Sequence, residues 1–158
     1  MAARAPSRIM QEFAERVGRN RLTGRTIVQF RLVGGMPHER IDESVRVTGT
    51  GSVTVLLEDK VASKPRRKFS TRLSPSQTRE IFREIDAGLG SLIPRSEARF
   101  PVDTVVGSIT IAVNGEEETL YFFPDPTGHV AQDKGVATEI VTAVDRFKGI
   151  TQRLERRQ

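Results

Sequence analysis

Apolar residues recur along this chain with two different periods, and the switches between them lay out the elements. Ile9, Met10, Phe13 and Val17 fall at helical spacing, while Arg8, Glu12, Glu15, Arg16 and Arg19 lie largely elsewhere around the axis. Residues 7 to about 20 therefore predict an amphipathic helix, with Ser7 placed to cap it and Asn20 to end it. From residue 26 the period drops to two. Val28, Phe30 and Leu32 alternate with Gln29 and Arg31 over 26–33. Val45 and Val47 alternate over 44–48, Val53, Val55 and Leu57 over 52–57, and Phe69, Thr71 and Leu73 over 68–73. Each predicts a strand with one dry and one wet face. Gly49-Thr50-Gly51 joins the second and third as a hairpin.

The sharpest local signal is Ser74-Pro75-Ser76-Gln77. Ser74 is an N-cap, Pro75 suits the first helical turn, and Gln77 closes a capping box. The helix it opens buries Ile81, Phe82, Ile85 and Leu89 and ends at Gly88 and Gly90. Residues 91–102, with Pro94 and Pro101, read as a loop. Asn114-Gly115 then joins strands over 105–113 and 116–123, because Asn-Gly supplies the two positive-φ positions of a type I′ turn. A two-residue loop sets Ile109 opposite Leu120 and Gly107 opposite Phe122, where glycine leaves room for the ring. That face is the expected core. The other carries Val106, Thr110, Tyr121 and Phe123. A last helix from about Asp133 runs through Val136, Ile140, Val144, Phe147, Ile150 and Leu154, with Gly149 as a point of kinking or fraying. The pattern predicts an α+β fold: a mainly antiparallel sheet of five or six strands packed against two helices, with an extra N-terminal amphipathic helix. The organisation is a basic N-terminal helix or arm over 1–25, one α+β domain over 26–152, and a basic tail over 153–158.

Composition adds the charge distribution. Residues 1–25 carry six Arg against two Glu, and residues 146–158 carry five basic groups against one Glu. The residues between hold 14 basic and 17 acidic groups. The positive charge belongs to the ends, not to the body. At 158 residues the chain is the length of one domain, and with no Cys it has no disulfide and no thiolate nucleophile or ligand. This fits a reducing, cytoplasmic setting. No apolar run approaches the roughly 18–20 residues of a membrane span.

Candidate chemistry is sparse. The two histidines, His38 and His129, each lie beside Gly and Pro, with no H-x-x-x-H spacing. They read as loop histidines, or as an acid–base or metal set with Asp103 or Asp125 if the loops converge. No G-x-S-x-G elbow is present. Gly49-Thr50-Gly51-Ser52 joins two strands, so no helix N-terminus faces it as in a phosphate loop. Neither catalytic, cofactor-binding nor metal-binding residues are assigned, and a non-enzymatic protein without a cofactor or small-molecule substrate is expected. Lys60, Lys64, Arg66, Arg67, Lys68 and Arg72 place six cations and no acid within 13 residues. They read as a phosphate-tracking patch for nucleic acid or another polyanion, or as a charged guard on an edge strand. Glu116-Glu117-Glu118 is a solvated hairpin tip or an acidic contact. Tyr121 and Phe123 with Val106 form an exposed partner patch unless a terminal helix covers them. Gly35-Met36-Pro37-His38 builds an irregular loop suited to contacting another protein.

The order of elements carries a resemblance. A strand ending in Gly34-Gly35, a hairpin, a helix opened by Leu73-Ser74-Pro75, Asp103 ahead of an Asn-Gly hairpin, and a final helix together resemble the emfourin-like group of small bacterial proteins over about residues 26–154. That group inhibits thermolysin-type metallopeptidases as a proteinaceous plug, so the resemblance implies a protein-binding module whose loops make the contacts. The chain departs from the group in its basic N-terminal helix, its Lys/Arg-rich loop at 60–68 and its insert at 91–102. The resemblance assigns no inhibitory residue.

Overall fold

The computed structural model describes residues 6–34, 41–59, 66–100, 105–124 and 135–157. The expected α+β architecture is present. In chain order the elements are α1 (Arg8–Gly18), β1 (Thr26–Gly34), β2 (Ile41–Thr48), β3 (Ser52–Asp59), β4 (Arg67–Arg72), α2 (Pro75–Gly88), β5 (Ile93–Pro94), β6 (Val105–Val113), β7 (Glu116–Phe122) and α3 (Thr138–Arg156). The strands form one antiparallel sheet in the order β4-β3-β2-β1-β6-β7-β5. Six strands lie where the alternation predicts them. The seventh, β5, is a two-residue pairing within the segment read as a loop.

Local chemistry sets the boundaries. Ser7 accepts a hydrogen bond from the Met10 amide and opens α1, which stops at Gly18 with Asn20 at φ 54°. Ser74 and Gln77 complete the capping box of α2, each side chain bonding the other's backbone N–H. Asn114 and Gly115 take φ 52° and 87°, the positive pair that a type I′ hairpin needs. α3 begins later than its periodicity suggests, at Thr138, and runs unbroken through Gly149. It also takes in Arg153–Arg156, the stretch read as the start of a polar tail, because Leu154 packs against the core.

The core lies on one face of the sheet. Val28, Phe30, Val45, Val47, Val55, Ile109 and Ile111 are fully buried there under Phe82, Ile85, Ile140, Val144 and Phe147 of the helices. Burying each such side chain contributes about 1.5–3 kcal/mol. Phe30 stacks between Phe147, at 5.3 Å, and Phe122, at 6.4 Å. Gly107 pairs with Phe122 as the hairpin register requires. A Cβ at Gly107 would fall 2.3 Å from that ring.

α1 docks on its own domain. Phe13 is fully buried and stacks on Phe82 at 5.8 Å, with Val17 beside it. The start of the helix is tied to the Asn-Gly hairpin: Ser7 donates to Glu118 and Arg8 pairs with Glu116. α1 is a full member of the helix layer, which has three helices where two were expected to cover the sheet. Across that layer Arg146 of α3 reaches Glu84 at 3.0 and 3.1 Å and Glu80 at 2.7 Å on α2. The hydrogen bond to Glu84 is the main reason that the Arg146 pKa rises above its usual value.

Candidate interaction surface

All three helices pack on the core face, so among the described residues none covers the other. Coverage of the Tyr121 and Phe123 face by a terminal helix, one of the two readings of the sequence, is not what forms. Parity along each strand decides what this outer face presents. From the register, Arg31, Ser108 and Tyr121 make one cross-strand row, Gln29, Thr110 and Thr119 a second, and Val33 and Val106 begin a third. An antiparallel sheet tolerates such a half-wet face without a cover.

The end of the face near β7 departs from an ordinary wet surface. Phe100 meets Tyr121 edge-on at 5.1 Å and Phe123 at 6.3 Å. Phe100 is 47% exposed and is the one large exposed hydrophobic among the described residues. The Tyr121 hydroxyl accepts from Arg95 at 2.9 Å. Phe100, Tyr121 and Arg95, with Val33 and Val106, wall a groove of about 570 Å³ whose floor carries Gln29, Ser108, Thr110 and Thr119. The Thr110 and Thr119 hydroxyls bond each other at 2.7 Å. At the opposite rim Arg31 makes a two-point contact with Asp42, 3.1 and 2.7 Å, and these hydrogen bonds raise the Arg31 pKa against the opposing effect of burial. The groove therefore has an aromatic wall, a hydroxyl and amide floor, and cations at both rims.

Sequence reasoning picked out Tyr121 and Phe123 but missed Phe100 and Arg95. Both sit in the 91–102 segment, where no periodicity assigns an inside or an outside. The available signal was compositional: Phe100 is an aromatic among charged and small residues, immediately before Pro101.

The other candidates separate. Gly35, Met36, Pro37 and His38 lie outside the described residues, as do Lys60, Lys64, Asp103, Asp125 and His129. Of the cationic run, Arg66 and Lys68 are exposed. Arg67 is turned to the helix side and pairs with Glu155 at 3.2 Å, and Arg72 bonds Thr50 O and Ser52 Oγ. β4 is the edge of the sheet, so Arg66 and Lys68 sit where charge discourages further strand pairing. The two basic ends are far apart in the topology: α1 leans on β6 and β7, whereas the last turn of α3 lies beside β4. The acidic triplet is also divided. Glu116 and Glu118 hold the chain's own N-terminal helix, and Glu117 faces the groove.

Among the described residues, titratable groups elsewhere do not assemble into a reactive set. Glu43 is buried on the core face, with Oε1 3.8 Å from Lys148 Nζ and Oε2 lacking a hydrogen-bond partner. Asp86, half-buried on α2, has its pKa raised by desolvation. Among the described residues no group of three or more metal-ligating side chains comes together, and no helix is long and apolar enough to cross a membrane. No protein-family model matches the chain, and no curated protein matches its sequence.

Proposed function

We propose that this protein is a non-enzymatic protein-binding module that receives an extended segment of another protein on the outer face of its sheet. The observation that carries this reading is the Phe100, Tyr121 and Phe123 cluster beside the helix-free groove. An extended segment suits the site because the floor offers hydroxyl and amide groups to a peptide backbone, and the aromatic wall offers a place for one apolar side chain. Aromatic residues of this kind dominate binding energy when a partner desolvates them. Inhibition of a thermolysin-type metallopeptidase is the particular form of this function that the emfourin-like resemblance suggests.

The test is a pull-down from native cell extract with the full chain and two variants. Phe100→Glu places a charge at the aromatic wall, and Arg83→Glu alters an exposed position on α2. A stoichiometric protein bound by the native chain, kept by Arg83→Glu and weakened at least about tenfold by Phe100→Glu, is the expected result. Absence of any stoichiometric partner, or one indifferent to Phe100→Glu, would remove the reading. Titration of the protein against thermolysin then separates an inhibitor from a binding module of another kind.

A further inference from the structure

The charge balance of the C-terminal segment exposes a second site, remote from the groove and independent of the reading above. Two of its five cations are used inside the fold, Arg146 on Glu80 and Glu84 and Lys148 beside Glu43. Its one acid, Glu155, is taken by Arg67. That leaves Arg153 and Arg156 in the last turn of α3, and Arg157 at its C-cap, with no carboxylate partner among the described residues. Arg153 and Arg157 are four residues apart, so they share one side of the helix. That side faces a pocket between α3, the end of β4 and the start of α2.

We infer that this pocket binds the phosphoryl group of a small phosphorylated molecule, with Arg153 and Arg157 as its principal ligands. Its volume is about 150 Å³. That is more than enough room for a phosphoryl group. No acidic side chain lines it. Arg72 borders it as well, but its guanidinium is turned to Thr50 O and Ser52 Oγ on the other side of the sheet. Gln77 contributes donors: its Oε1 is engaged by the Ser74 amide, which leaves the Nε2 hydrogens to the pocket. The site stands on the guanidinia; the partial positive charge at the amino end of α2 is offset by the partial negative charge at the carboxyl end of α3.

The charge count chooses the ligand class. Guanidinium forks match phosphate oxygens two at a time, and a terminal phosphate or diphosphate concentrates two or more negative charges in one small volume. A nucleic-acid diester offers one charge per phosphate and needs a track of cations. On the neighbouring edge Arg67 is paired to Glu155 while Arg66 and Lys68 are exposed, so titration with an oligonucleotide decides between the two classes.

The experiment is a calorimetric titration of the full chain at low ionic strength with inorganic phosphate, pyrophosphate and a 20-nucleotide single strand. Saturable 1:1 binding of pyrophosphate is expected, weaker for phosphate and weaker with added salt. Arg153→Gln or Arg157→Gln should each weaken it about tenfold, the double variant should abolish it, and Arg83→Gln should leave it unchanged. Where the double variant fails to fold by circular dichroism, Arg153→Lys with Arg157→Lys keeps helix and charge but loses the forks, and should weaken binding at least about threefold. No saturable binding of either phosphate probe, or binding that these substitutions leave intact, overturns the proposal. An oligonucleotide that binds more tightly than pyrophosphate overturns it too, in favour of a polynucleotide.

Discussion

Gly107 has no side chain because the ring of Phe122 occupies that space. A Cβ there would meet three ring carbons at 2.3, 2.3 and 2.8 Å. The ring cannot step aside, since Phe122 is stacked on Phe30 and Phe30 on Phe147. Gly107→Ala should therefore destabilise the protein by about 1–3 kcal/mol through overpacking, despite alanine's better intrinsic fit to a strand. Urea denaturation measures it, and an unchanged midpoint would show that the stack yields. Asp86 makes the opposite kind of prediction. Desolvation raises its pKa, so the folded chain holds the proton to a higher pH than the unfolded chain does. Below the ordinary aspartate value, about 3.9, both states are protonated and the residue costs nothing. Between that value and the raised folded one, the unfolded chain ionises while the folded chain keeps its proton, so stability falls across this interval and levels off above it. Asp86→Asn should then melt above the native chain at pH 7, by less than about 1 kcal/mol because the site is half open to water, with the gap closing towards pH 3. An equal gap at both pH values would contradict the assignment.

At the scale of elements, what was legible is what a short window of sequence decides. The α2 capping box, the Asn-Gly turn and the Ile109–Leu120 register follow from neighbouring residues, and each is present. β5 escaped because it is two residues long and its pairing with Tyr121 and Leu120 is a tertiary event with no period. The length of α3 was obscured by Gly149 and by the run of charge after it. Propensity disfavours the glycine and the charged run offers little apolar surface, but Ile150, Leu154 and the pair from Glu155 to Arg67 hold the last turns in place. The same limit governed the surface: alternation placed Tyr121 and Val106 on one side, but whether a helix covered that side depended on where α1 docks. Phe13 and Phe82 settle that by stacking on the core side. Arg153 and Arg157 were visible only as net charge until their partnered neighbours were known.

At the scale of the molecule, the basic N-terminal segment is tied electrostatically to the acidic hairpin and hydrophobically to the core, and these bonds make it part of one cooperative unit. Arg8 and Ser7 engage Glu116 and Glu118, but these are partly exposed contacts worth little by themselves in salt. Apolar burial contributes more. Removing α1 strips Phe13 and Val17 from the layer and uncovers Phe82, at about 1.5–3 kcal/mol for each side chain lost. Deletion of residues 1–19 should therefore cost about 4 kcal/mol or more, a large share of the 5–15 kcal/mol that holds such a domain together. The expected record is a single thermal transition for the full chain and one at least about 10 °C lower for the shortened chain, accompanied by binding of a hydrophobic dye. Raising salt to about 0.5 M should lower the full chain's midpoint only slightly, because charge is the smaller part of the attachment. A shortened chain that melts within about 2 °C of the full one would make α1 an appended arm, and the helix layer of this fold would then consist of α2 and α3 alone.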